Sequence, residues 1–196
     1  YVRQLFRKEF IIFVVLLCLT GTTWISIELA DEVTEGETKT FDQVILEGVR
    51  GVDPEGNPQG PQWLTQGMRD ITALGGGTVL TIVTAVTALF LLLKKRYWTM
   101  NLILLATGGG YAFNRILKYL FARERPEESL GLVMVETFSF PSGHAMMSAI
   151  VYFSLAAMLA RIQAEASIRT YIIGVAFFLT LCVGWSRVYL GVHYPT

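Results

Sequence analysis

Five long stretches without one charged side chain constrain this sequence more than any other feature: Phe10 to Ile27, Ile71 to Leu93, Tyr97 to Asn114, Ala145 to Ala160 and Thr170 to Ser186. Hydrocarbon offers a backbone amide no partner, so a crossing segment closes its hydrogen bonds on itself as a helix of roughly 17 to 25 apolar residues. With 53% hydrophobic residues and a mean hydropathy of +0.48, the chain is too apolar for an ordinary soluble domain. The expectation is an all-α, polytopic transmembrane helical bundle. It forms a single membrane-embedded domain over residues 1–196, with five spans and its termini on opposite sides.

Basic residues set the orientation. Arg3, Arg7 and Lys8 precede the first stretch, Lys94, Lys95 and Arg96 separate the second from the third, and Arg161 and Arg169 lie between the fourth and fifth. That side, read as cytoplasmic, holds eight of the sixteen basic residues but only Glu9 and Glu165 of the sixteen acidic ones. Formal neutrality therefore conceals a strong asymmetry, and zero net charge gives no case for nucleic-acid binding. The basic start precedes an apolar run longer than a signal peptide's, with no small-residue cleavage pattern after it, so it reads as a retained first helix. Cys18 and Cys182 each sit in an uncharged run with no supporting ligands and read as packing residues.

An outer-face segment, residues 30–70, carries the long hydrophilic interval. Thr40 and Gln43 suggest a capping box ahead of Phe41, Val44, Ile45 and Val49 at helical spacing, hence a short helix on the membrane surface. Gly51 to Pro61 reads as a turn-rich loop, and Trp63 as an interfacial anchor. The segment is either a lid over a lipid entrance or a connector shielding the bundle. Two glycine triplets, Gly75 to Gly77 and Gly108 to Gly110, lack the Lys-Ser/Thr pair of a phosphate loop and read as sites of close helix packing.

Chemistry concentrates in three separated blocks. In the first, Lys118 lies near a helix end and Pro126 pushes Arg125 out of helical geometry. This leaves several cations at the outer edge, where a bound anion would explain them; the alternative, snorkelling and pairing with Glu124, Glu127 and Glu128, can account for Arg115, Arg123 or both. In the second, Pro141 and Ser142 read as the start of a helix running through Ala145 to Ala160. The free N–H groups there suit an anion, Gly143 lets it approach, and His144 adds a titratable group. The third places Arg187 six residues before His193, the second of the two histidines. Both histidines and all these cations fall on one membrane face.

In that order the blocks, Lys118-x6-Arg125-Pro126, Pro141-Ser142-Gly143-His144 and Ser186-Arg187-x5-His193, resemble the signature of the type 2 phosphatidic acid phosphatases, or lipid phosphate phosphatases. Their wider superfamily includes glucose-6-phosphatase and vanadium haloperoxidases. The resemblance covers Lys118 to His193. It implies a two-step phosphoryl transfer in which His193 is the nucleophile and His144 the general acid, then the base. Lys118, Arg125 and Arg187 would form the phosphate clamp, joined by Ser142 and the Gly143 amide. Fixed cations and a helix N-terminus suit the charge spread of that transition state, and no carboxylate cluster accompanies them, so neither metal nor cofactor is expected. One departure matters: the family pattern continues His-x3-Asp, and the Asp would fall one residue past Thr196. The natural chain is expected to continue with that Asp and a sixth span, and a protein ending at Thr196 to be catalytically weak.

The function expected is hydrolysis of a lipid phosphomonoester or pyrophosphate: phosphatidic acid, phosphatidylglycerol phosphate or a polyprenyl pyrophosphate. The expected setting is an integral membrane protein of a bacterial inner membrane with its site on the periplasmic face. Its partners are the lipid bilayer and the lipid phosphate. Two alternatives keep the same residues, a lipid-to-lipid phosphotransferase and a non-catalytic lipid-phosphate-binding protein. Binding alone needs the cations but not two histidines.

Overall fold

A computed structural model describes residues 38–50, 61–121 and 140–195. Six helices occur among them and no strand: α1 Lys39–Arg50, α2 Gln62–Leu74, α3 Gly77–Leu93, α4 Tyr97–Phe121, α5 Gly143–Ala160 and α6 Ala166–Tyr189. By its internal contacts the chain divides into two compact units, one of which runs from Val44 to Pro195. The other, Tyr1–Gln43 with Thr196, is described only over residues 38–43, the start of α1.

The all-helical expectation holds, and the described residues carry two or three candidate spans of the five expected over the whole chain. Among the described residues two helices, α5 and α6, are long and apolar enough to cross a membrane, with a third span if the bent pair α2–α3 is counted as one. The first expected stretch, Phe10 to Ile27, lies outside the described residues. The third is the front of α4, whose 25 residues would cover about 37 Å at helical rise. Asn101, Asn114 and the glycine triplet dilute its apolar character.

The second stretch is not one continuous helix from Ile71 to Leu93. It starts nine residues earlier, at Gln62, where Gln66 Nε2 donates to Asp70 Oδ1 at 3.3 Å one turn on, an i,i+4 pair that supports an exposed helical face. It then breaks at Gly75–Gly76, and α2 and α3 meet at 43°. The amides of Gly75 and Gly76 turn back to Thr72 O at 3.1 Å and Ala73 O at 2.9 Å, and so close α2. Gly76, extended at φ −69°, ψ 145°, is the N-cap of α3. Residue 63 is exposed in the first turn of α2, consistent with an anchoring role for Trp63.

Helix α1 also differs from its expected start. The Asp42 amide donates to Thr38 O at 2.9 Å, so the first helical bond is already made there. Thr40 lies inside the first turn and does not cap it. At the other end, Val49 packs with Leu64 and Met68 against buried Tyr189, Leu190 and Val192.

The bundle is held mainly through α5, which packs against α6, α4 and α3. Leu80 of α3 meets Met147 and Val151 of α5 in a buried cluster. In a bilayer such contacts act through close packing rather than through exclusion of water. One glycine of each triplet serves that purpose: a Cβ at Gly75 would run into Val183, and one at Gly110 into Ile150 Cδ1, whereas Gly77, Gly108 and Gly109 face open space.

Between α3 and α4 the chain reverses in three residues. Arg96 N donates to Leu91 O at 2.8 Å and Lys95 N to Leu92 O at 2.9 Å, the six-to-one and five-to-two bonds of a Schellman ending. That motif needs a left-handed residue, and Lys95 takes it at φ 56°. A Cβ there is unfavourable by about 1 kcal/mol or somewhat more. Replacing Lys95 with Gly is expected to raise the thermal midpoint of the detergent-solubilised protein by an amount equivalent to about 0.5–1 kcal/mol. An unchanged or lower midpoint would contradict this account of the turn.

Candidate active site

The candidate residues sit where helices end. Ser142 is the N-cap of α5, extended at φ −66°, ψ 111°, and its Oγ accepts from the Ala145 amide at 3.4 Å. A hydroxyl that accepts in this way still has its own proton to donate. Gly143 is therefore the first helical residue and His144 the second. Pro141 lies before the cap, behind a cis bond from Phe140, and so does not take the first helical position that its missing donor suggested.

A single face of α4 meets this helix start. Gly110 packs on Ile150, Asn114 Nδ2 donates to Met146 Sδ at 3.4 Å, and a Cβ at Gly143 would lie 3.1 Å from Asn114 Oδ1 and 3.9 Å from Lys118 Cε. Residues 110, 114 and 118 are one turn apart, so they form a straight row. The row descends α5 in step, to 150, 146 and 143, as two antiparallel helices require. Close approach at Gly143 is the reason glycine suits that position: any side chain would press on Asn114. The rings of Phe121 and Phe140 meet edge to face at 5.2 Å between centroids, a pairing worth about 0.5–1.5 kcal/mol that fastens the end of α4 to the approach of α5.

Sequence reasoning did not single out Asn114. Its signal was available: an amide in an otherwise apolar stretch, four residues before a lysine, is costly to bury unless it has partners. It is 5% exposed, and Lys118 is 9% exposed. Arg115, in contrast, is not brought to this face. Its guanidinium lies over the exposed Tyr119 ring, 5.6 Å from the centroid, with Nη2 3.4 Å from the Tyr119 hydroxyl.

The last turn of α6 supplies the third block. Arg187 is 2% exposed, and its Nη1 donates to Thr72 Oγ1 of α2 at 3.3 Å. Beyond it the chain folds back on itself: Leu190 N donates to Ser186 O at 3.0 Å, Gly191 N to Val188 O at 2.9 Å and Val192 N to Arg187 O at 3.2 Å. Gly191 makes the reversal possible at φ 66°. His193, 5% exposed, follows directly on that last bond to Arg187 O.

The break in the second stretch joins these parts. Gly75 lies against the backbone of His144, where an added Cβ would sit 3.1 Å from its carbonyl oxygen and 3.3 Å from its Cβ. Three residues earlier, Thr72 meets Arg187. The structure thus places Lys118 against Gly143, His144 against Gly75, and Arg187 against the turn of α2 that ends at Gly75. Arg125 lies outside the described residues. Among the described residues no three His, Cys, Asp or Glu side chains gather as a metal site. Two cations and an imidazole buried at helix ends are expensive to hold in a membrane protein, and such groups mark functional sites there.

The chain is similar to known proteins. The model of the PAP2 superfamily matches residues 99–196. Phosphatidylglycerophosphatase B of Bacillus subtilis (strain 168) is 36% identical over 137 residues, 68% of this chain and 66% of that protein, so the match spans slightly less than two thirds of the relative's length. The crystal structure of the first transmembrane PAP2 type phosphatidylglycerolphosphate phosphatase from Bacillus subtilis superposes with a TM-score of 0.74 at 29% identity, over 86% of this chain and 81% of that one. All three blocks fall inside the matched half of the sequence, and on that match this integral membrane protein belongs to the PAP2 superfamily.

Proposed function

We propose that the protein hydrolyses a phosphomonoester or pyrophosphate carried on a lipid, without a metal ion, through a phosphohistidine. The observation that carries this reading is the seating of Lys118 beside Gly143 at the capped start of α5. A cation beside the first turn of a helix, where amides and dipole favour negative charge, forms a cradle for a phosphate dianion. Lys118, Arg187, Ser142 and the Gly143 amide hold its oxygens in this reading, and Arg125 completes the clamp.

The chemistry then needs one nucleophile and one proton carrier. A neutral His193 nitrogen attacks phosphorus in line, the bond from phosphorus to the lipid oxygen breaks, and His144 gives that oxygen its proton. Water next attacks the phosphohistidine, His144 takes its proton, the phosphorus–nitrogen bond breaks and inorganic phosphate leaves. Negative charge on the equatorial oxygens is met by cations already in place, so little reorganisation is required during the step.

Topology supports an outer-leaflet site. The basic turn Lys94–Arg96 and the candidate site lie at opposite ends of α4, and basic turns are retained on the cytoplasmic side. In a bacterium the site would then face the periplasm. The whole chain acts as one membrane-embedded phosphatase domain, with the lipid tail among the helices. Phosphatidylglycerol phosphate is the first head group to test, given the activity named for the Bacillus relative, alongside phosphatidic acid and polyprenyl pyrophosphate.

His193→Ala in the full-length protein is expected to abolish phosphate release and any acid-labile phosphoenzyme, and full activity in that variant would refute the nucleophile assignment. His144→Ala should retain vanadate binding while slowing turnover by about 10²–10⁴-fold. If it turns over at the wild-type rate, the proton carrier lies elsewhere. Activity measured with and without a strong chelator should agree within about twofold, since no step in this account uses a metal to stabilise charge. Loss of activity that added divalent ions restore would overturn the metal-free account.

A further inference from the structure

Arg187 is reached from a part of the chain that precedes the family match. Helix α2 ends at Leu74, ahead of residue 99 where that match begins, yet its last turn is fastened into the candidate site at three points. Tyr152 of α5 donates its hydroxyl to Leu74 O at 2.7 Å. Gly75 takes up the close contact with His144 and Val183. Thr72 Oγ1 accepts from Arg187 Nη1 at 3.3 Å. A continuous helix through Gly75 and Gly76 would satisfy Leu74 O internally, so the tyrosine bond belongs to the break. The break sets one short turn between the start of α5 and the end of α6.

We propose that Thr72 is a positioning residue for Arg187, and through it for the phosphate; the inference rests on the reading of Arg187 as part of the phosphate clamp. A guanidinium is a flat fork of five N–H donors, and its worth to a phosphate depends on the plane and rotation of that fork. An arginine side chain has several rotatable bonds, so one fixed acceptor on Nη1 removes a freedom that the phosphate would otherwise have to remove on binding. A hydroxyl does this without adding negative charge. A carboxylate at the same place would orient the fork equally well but compete with the phosphate for its charge. The broken second span is thus a part of the binding site, which delivers a neutral acceptor to the arginine.

The test uses full-length protein in detergent micelles, with phosphate release from phosphatidylglycerol phosphate and inhibition by orthovanadate as readouts. Thr72→Val keeps the shape and removes the acceptor. It should raise KM and the vanadate inhibition constant by about tenfold each, in line with one lost bond to a charged group, while kcat changes by less than about threefold, as loss of uniform binding requires. Thr72→Ser keeps the acceptor and should stay within about threefold of wild type on both measures. Both variants should share the wild-type thermal midpoint. A Thr72→Val protein indistinguishable from wild type, or a Thr72→Ser protein as impaired as Thr72→Val, would overturn this inference alone. If wild type neither releases phosphate nor responds to vanadate, the proposed function falls and takes the role of Thr72 with it.

Discussion

Every backbone amide inside a bilayer must find its partner within the protein, and that requirement decides where this chain can hold reactive groups. The middles of α3, α5 and α6 are closed hydrogen-bond ladders with apolar exteriors, such as Ile82, Phe153 and Phe177 at their surfaces. Only the ends of helices have free donors, and only there do cations escape the hydrocarbon. Lys118, Ser142, Gly143, His144 and Arg187 occupy such ends, and His193 lies four residues past the end of α6. The chemistry proposed here needs unbonded amides, cations and imidazoles together, which a bundle of this kind supplies where several helices end at one level.

Helix α2 meets the same requirement differently. Breaking a span exposes carbonyls that need partners, and the break at Gly75–Gly76 meets this with two tightened bonds and a tyrosine hydroxyl. The gain is geometric: α2 approaches α6 along its own direction instead of following α3. Thr72 can then reach an arginine 115 positions away in the chain.

Local rules made much of this legible in the sequence. The cap at Ser142 and the course of α5 to Ala160 followed from a serine ahead of an apolar run, and the tight α3–α4 hairpin from a three-residue basic interval. Packing by glycine was legible as a class, but not which glycine of each triplet would be used, because that depends on where Val183 and Ile150 fall on neighbouring helices. The early start of α2 was hidden by Arg69 and Asp70, charges that mark the end of an apolar run without marking the end of a helix. Thr40 and Gln43 satisfied a capping pattern that the bond to Thr38 O pre-empts. Thr72 gave no local sign of its contact, and Asn114, an amide in an apolar stretch, signalled a need for partners without naming them, since both contacts depend on long-range pairing of helices.

The row of Gly110, Asn114 and Lys118 down one side of α4 acts as a ruler laid against α5. The marks lie four residues apart, about 6 Å along the axis, and the two helices agree on all three. Because the marks are spaced at four residues, they tolerate no change in count. An insertion or deletion of one residue anywhere between 110 and 118 would swing the lysine about 100° around the helix axis, away from the serine-capped end it now meets. The number of residues from the glycine to the lysine is thus set by the partner helix and not by α4 itself.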